Sequence, residues 1–208
     1  MQKTYLCIDL KSFYASVECV ELGLDPFKVN LVVADPTRGG GAITLAATPA
    51  IKKLGVSSRG RIFEIDPKIE YMITPPRMHL YMEYSCKVYK VFLEFIAKED
   101  IHVYSIDESF LDVTSYLNLY QVNAKELAKK MLDRIYEKTG LTATVGIGTN
   151  LYLAKIAMDI SAKHNADRMA YLNEDLYRQT LWHHVPLTDF WMLGNGTERR
   201  LHKLGIYD

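Results

Sequence analysis

VYSIDESFLDV, residues 103–113, sets two adjacent carboxylates, Asp107 and Glu108, in a run otherwise suited to a buried strand. Successive strand residues face opposite sides of a sheet. A strand covered on both faces therefore has no place for an Asp-Glu pair, whereas a strand that ends at the acids and turns back does. The stretch reads as two strands, 101–107 and 109–114, joined at the acids.

Working outward, a third carboxylate, Asp9, closes the apolar, β-prone run TYLCIDL (4–10). If these strands are neighbours in one sheet, Asp9, Asp107 and Glu108 converge. Such a cluster repels itself unless a cation sits in it. Hard oxygen ligands point to Mg²⁺, with Mn²⁺ as a substitute. Two such ions about 4 Å apart could activate an attacking hydroxyl and stabilise a leaving pyrophosphate. The same pair can also be read as a solvated turn.

The remaining pattern interleaves strands and helices, which defines an α+β or α/β class. A helix follows Ser12, with Phe13, Val17 and Val20 near helical spacing. NLVVAD (30–35) is a short strand, and the glycine-rich PTRGGGAIT (36–44) leads to another. Residues 49–54 form a short helix stopped by Gly55. Residues 76–99 form an amphipathic helix with Leu80, Tyr84, Val88, Val91, Phe92 and Phe95 on one stripe. Asn123 and Glu126 are a capping box, opening a helix that buries Leu127, Met131 and Ile135. TATVGIG (142–148) is a strand, and Asn150 caps the next helix. From Ala170–Leu172 onward the chain turns to short helical pieces.

The 208 residues carry 25 basic and 25 acidic side chains. That balance does not favour nucleic acid as a partner, though it leaves room for a local basic surface. No apolar run approaches the roughly 20 residues a membrane span needs. The N-terminus lacks the pattern of a secretory signal. Three cysteines (Cys7, Cys19, Cys86) without CxxC spacing argue against a disulfide framework or zinc site and fit a reducing cytoplasm.

IDLKSFYASVE (8–18) together with YSIDESFLDV (104–113) resembles the Y-family translesion DNA polymerases, and within them the UmuC-type (ImpB/MucB/SamB) proteins of Gram-positive bacteria. GGGAITLAATPAIKKLGV (39–56), TATVGIGTNLYLAKIA (142–157) and LGNGTERRLHKLGI (193–206) extend the likeness in family order. The resemblance implies an α+β fold: a palm from 1–10 and 77–166, fingers at 11–76, and the start of a helical thumb at 167–208. It also implies that the family's little finger is absent from these residues.

For the site, the resemblance implies metal binding and catalysis by Asp9, Asp107 and Glu108, with the Leu10 carbonyl as a further ligand. Tyr14 matches a steric gate against a 2′-hydroxyl, and Phe13 its neighbour beneath the sugar. Lys163 matches a phosphate-binding lysine, while Thr48 and Lys52 stand where many members have Tyr and Arg. Amides of residues 11–14 suit phosphate oxygens. Ala42, with Ile43, resembles a small roof over the nascent base pair, which implies low fidelity. Gly194 and Gly196 would form a tight turn facing a DNA phosphate, backed by Arg199, Arg200 and Lys203.

The implied activity is error-prone, template-directed transfer of a deoxynucleotide (dNTP) onto a primer, with primer–template DNA as partner, in the SOS response to DNA damage. A sliding clamp and a UmuD-like protein are further implied partners through the region beyond residue 208. The alternatives are a palm-fold nucleotidyl cyclase and a catalytically inactive DNA-damage accessory fragment.

Overall fold

A computed structural model describes residues 2–208. In chain order the strands are β1 (Tyr5–Leu10), β2 (Leu31–Val33), β3 (Ala46–Ala47), β4 (Met72–Thr74), β5 (Ile101–Val103), β6 (Glu108–Asp112), β7 (Ala143–Gly148) and β8 (Met169–Leu172). The helices are α1 (Phe13–Glu21), α2 (Pro49–Lys52), α3 (Met78–Leu93), α4 (Thr114–Tyr120), α5 (Ala124–Thr139), α6 (Leu151–Ile156), α7 (Glu174–Thr180) and α8 (Asn195–Lys203). They confirm the α+β class.

Two compact units form. The first comprises 2–9, 92–134 and 143–208 and holds a five-stranded mixed sheet in the order β5-β6-β1-β7-β8. The β5–β6 and β1–β6 pairs are antiparallel, and β7–β8 is parallel. The second unit comprises 10–91 and 135–142 and holds a three-stranded sheet in the order β3-β2-β4.

These borders differ from the expected palm and fingers. Residues 77–91 pack with the second unit because the inner stripe of α3 meets α1: Tyr81 and Tyr84 hydrogen-bond to Glu18 and Glu21. Residues 169–172, within the range the resemblance gives to a thumb, form strand β8 of the first unit's sheet.

In the first unit, β7 is buried along its whole length. Its glycines let a helix lie directly on it. A Cβ at Gly146 would stand 2.0 Å from the Ala154 carbonyl oxygen, and one at Gly148 2.2 Å from the Ala154 nitrogen. The helix so seated is α6, whose N-cap Asn150 accepts from the Leu153 amide at 2.8 Å. It continues through a π-type turn at Ala157–Ser161. Ala154 and Met158 pack with Cys7 of β1 and Phe110 of β6 in one apolar cluster.

The capping box of α5 is present as expected, with Asn123 and Glu126 exchanging bonds of 2.9 Å, and Leu127, Met131 and Ile135 are buried. Other boundaries shift. The helix expected to reach residue 99 ends at Leu93, where the Phe95 and Ile96 amides both turn back to the Phe92 carbonyl and Ile96 enters the core. The strand expected over 101–107 stops at Val103, and the one over 109–114 gives way to α4 at Thr114.

Neither Gly194 nor Gly196 has a positive φ; the left-handed residue there is Met192, at φ 71° and 76% exposed. A non-glycine residue in that region costs about 1–2 kcal/mol. Met192→Gly is therefore expected to raise stability by about 0.5–1 kcal/mol, the flexibility of glycine in the unfolded chain offsetting part of the relief. A urea midpoint that fails to rise would contradict this.

Candidate active site

The acids of the first unit are brought together by strand register. In the antiparallel β1–β6 pair, Asp9 lies directly opposite Glu108 and Cys7 opposite Phe110. Asp107 precedes β6 in a bend, and its Oδ1 accepts from the Ser105 hydroxyl at 2.7 Å. The Glu108 carbonyl accepts from both the Tyr104 and Ser105 amides, closing the hairpin. The two adjacent carboxylates are compatible because only Glu108 occupies a strand position.

The same face carries two lysines that the sequence reading did not bring to the acids together. Lys155 of α6, 7% exposed, places its ammonium 2.8 and 2.9 Å from the two Glu108 oxygens and 2.9 Å from Asp159. The Cys7 thiol donates to Glu108 at 3.3 Å. Lys163 lies 2.8 Å from Asp159 and 3.6 Å from Asp9. Lys155, Asp159 and Lys163 repeat at intervals of four on one helical face. That spacing was visible in the sequence, but only Lys163 was assigned a role; Lys155 and Asp159 were missed.

Electrostatics follow from this crowding. Burial pushes the Asp9 carboxyl up to about 6, with Lys163 opposing and the charges of Asp107 and Glu108 adding to the rise. Ionisation of Asp9 therefore opposes folding: the cost is fully present above pH of about 6 and disappears as pH falls through its ordinary value of 3.8. Burial acts to lower the Lys155 ammonium, but hydrogen bonds and attraction from Glu108 and Asp159 more than offset it and hold the group above its usual range. Burial drives the Cys7 thiol upward, which makes it a neutral donor.

The donor set fits a hard divalent cation. Asp9, Asp107, Glu108 and Asp159 face Lys155 and Lys163, leaving two negative charges uncompensated when all are ionised. Among the described residues no three His, Cys, Asp or Glu side chains close around a common point. Mg²⁺ needs no such cage, because it binds through one or two carboxylates and fills its shell with water and phosphate oxygen.

In the second unit, Phe13 is buried and Tyr14 half-buried at the start of α1. Ser12, the residue before the helix, is left-handed at φ 50°, and its hydroxyl accepts from the Lys52 ammonium at 2.9 Å. Lys52 is thereby held at the N-terminus of α1, where amide hydrogens and helix dipole already favour an anion.

Two of the residues named from the resemblance are enclosed by protein. Thr48 is fully buried, and its hydroxyl donates to the Val29 carbonyl at 2.7 Å while accepting from the Leu31 amide at 3.1 Å. It ties α2 to β2. Ala42 is 1% exposed, whereas Ile43 beside it is 50% exposed.

On α8 of the first unit, Arg199 and Arg200 fold their Nε groups back to the Asn195 and Gly196 carbonyls, each at 3.2 Å. Lys203 is exposed at the helix end.

The fold is that of the palm and fingers of Y-family polymerases: a solved Y-family DNA polymerase chimera of Dbh and Dpo4 superposes with a TM-score of 0.81 at 27% identity, over 99% of this chain and 58% of that one. The chain belongs to the impB/mucB/samB family, whose model matches residues 8–159. It is 38% identical over 208 residues to the putative UV-damage repair protein UvrX of Bacillus subtilis (strain 168), covering 99% of this chain and 48% of that protein. It is 34% identical to DNA polymerase IV 2 of the same organism, covering 99% and 49%. The chain thus spans about half the length of the curated relatives it matches. No helix among the described residues is long and apolar enough to cross a membrane.

Proposed function

We propose that this chain carries the nucleotidyl-transfer centre of an error-prone, template-directed DNA polymerase that extends a primer opposite damaged DNA. The observation that carries the reading is the register pair Asp9–Glu108, with Asp107 at the adjoining hairpin tip and Lys163 beside Asp9.

Asp9, Asp107 and Glu108, with the Leu10 carbonyl, would hold divalent ions, Mg²⁺ first. Such ions supply Lewis-acid activation of a primer 3′-hydroxyl and charge for the departing pyrophosphate. Lys163 is poised between Asp9 and Asp159 to exchange a carboxylate for a phosphate oxygen. Lys155 holds the Glu108 carboxylate in one orientation. Within the second unit, Lys52 and the first amides of α1 suit phosphate, and Tyr14 over Phe13 suits a gate that excludes a 2′-hydroxyl. Arg199, Arg200 and Lys203 provide sequence-independent attraction for a DNA backbone, with Gly194 and Gly196 leaving the start of α8 open to it.

The partners in this reading are primer–template DNA and deoxynucleoside triphosphates, and the setting is the SOS response in the cytoplasm. A sliding clamp and a UmuD-like protein are partners that the family resemblance adds.

The test is primer extension with Mg²⁺ by this chain and its Asp107→Ala variant. The variant is expected to lose about 10³-fold or more in kcat/KM, as loss of a metal-binding carboxylate does. Equal extension by the two proteins would defeat the assignment. Absence of extension by the parent, with primer–template bound, would favour the accessory reading, and a cyclic product from GTP or ATP would favour the cyclase.

A further inference from the structure

The second unit contains an ion pair, between a buried carboxylate and a half-exposed guanidinium, that none of these roles uses. Glu18 lies on α1, one turn after Tyr14, and is only 2% exposed. Arg77, at the foot of α3, donates Nε to both carboxylate oxygens at 3.1 Å and Nη2 to Oε2 at 2.6 Å. The Tyr81 hydroxyl, on a residue with no exposure, donates to Oε1 at 2.6 Å. The Tyr81 ring lies on that of Tyr14, centroids 4.3 Å apart and planes within 13°. Phe13 closes the group at 5.6 Å from Tyr14 and edge-on to Tyr81 at 6.3 Å.

An ion pair whose guanidinium is 45% exposed is weak evidence for added stability, since water screens it. What it adds is direction. A planar guanidinium gripping a carboxylate through three hydrogen bonds has one geometry. The charge-assisted bond from Tyr81 passes that geometry to its ring, and a stacked pair at this separation passes it on to Tyr14. Arg77 stands just before α3 rather than within it, so the pair also fixes how the chain enters that helix.

We propose that Glu18, Arg77 and Tyr81 are positioning residues that hold the Tyr14 ring in its sugar-discriminating orientation, so that selection of deoxynucleotide over ribonucleotide depends on an ion pair remote from the sugar. The inference rests on the reading of Tyr14 as the gate. A ring free to tilt would admit a 2′-hydroxyl that a fixed ring excludes by collision.

The experiment compares Tyr14→Ala, Tyr81→Phe and Arg77→Lys. Tyr81→Phe keeps the stacked ring and removes only its hydroxyl; Arg77→Lys keeps the charge and removes the fork. Two quantities are read: the ratio of kcat/KM for deoxy- against ribonucleotide, and the fluorine NMR signal of fluorotyrosine placed at position 14. Tyr14→Ala is expected to lower the ratio about a hundredfold, and each of the other two about tenfold, with the loss appearing as a gain in ribonucleotide use. The fluorine signal should shift or broaden in both positioning variants.

An unchanged ratio in Tyr14→Ala would remove the gate, and the sugar-selection claim with it. A normal fall in Tyr14→Ala with unchanged ratios in Tyr81→Phe and Arg77→Lys would leave the gate standing and overturn the positioning role. An unaltered fluorine signal in Tyr81→Phe and Arg77→Lys would overturn it without any turnover measurement. Should Tyr81→Phe fail to fold, Arg77→Lys alone decides.

Discussion

Gly146→Ala is expected to destabilise the first unit by about 3–5 kcal/mol, near the upper end of what a single methyl can do. The added Cβ would meet the Ala154 carbonyl oxygen at 2.0 Å, the Met158 nitrogen at 2.3 Å and the Met158 Cβ at 2.7 Å. The first two are backbone atoms of the helical segment lying on β7, so no rotamer change relieves the clash. Either the helix lifts from the sheet or the strand bows away from it. Lifting the helix would open the cluster of Cys7, Phe110, Ala154 and Met158 and carry Lys155 away from Glu108. Folded protein that survives should therefore also have lost the order of the acidic site. Gly41→Ala is the control: a Cβ there meets nothing within 4 Å. Its effect should stay within about 0.5 kcal/mol, as at most unconstrained surface positions. Matched urea titrations of the two variants settle the point, and similar midpoints would mean that the helix does not rest on Gly146 as described.

This explains which parts of the fold could be read in advance. The Asn150 cap and the Asn123–Glu126 box are local signals: each names a backbone need met by residues within a few positions. The α5 stripe was legible for the same reason, since helical periodicity is a property of one segment. Strand ends were less legible. Residues 104–107 are as β-prone as the strand they leave, and only the return of the Tyr104 and Ser105 amides to Glu108 ends the ladder at Val103. Strand β4, of 3 residues, exists because β2 lies beside it, which no local pattern announces. Thr48 illustrates the limit for site residues. A threonine before a short helix can cap, coordinate or pack, and here two backbone partners in the strand region claim both functions of its hydroxyl. Glu18 was hidden for a related reason: on a helical wheel it reads as a polar face, and its burial depends on Arg77 and Tyr81, some sixty positions away.

The ammonium of Lys155 should prove to be the largest single electrostatic support of the candidate site. Its side chain is 9% exposed and that of Glu108 10%, so the pair is shielded from water and not a surface bridge. Lys155→Met retains much of the volume and the apolar stem but leaves Glu108 and Asp159 without their shared cation. Removing one partner of such a pair costs about 3–5 kcal/mol, because the remaining charge stays buried. Glu108→Gln in the same background should recover a good part of that loss, which is the coupling a double-mutant cycle isolates. A second expectation follows from the charge balance. With Lys155 gone, the carboxylates gain one uncompensated charge, and a divalent cation becomes the natural replacement. Mg²⁺ at about ten times its dissociation constant would return about 1.4 kcal/mol to the variant. The parent, with Lys155 still in place, should gain less at the same concentration. Thermal melts of both proteins in chelator and in Mg²⁺ read this without any catalytic turnover. If the variant melts within a degree or two of the parent, corresponding to well under about 1 kcal/mol for a domain of this size, or if Mg²⁺ shifts neither protein, then Lys155 does not neutralise the acids. The metal-binding reading of Asp9, Asp107 and Glu108 would then lose its electrostatic basis.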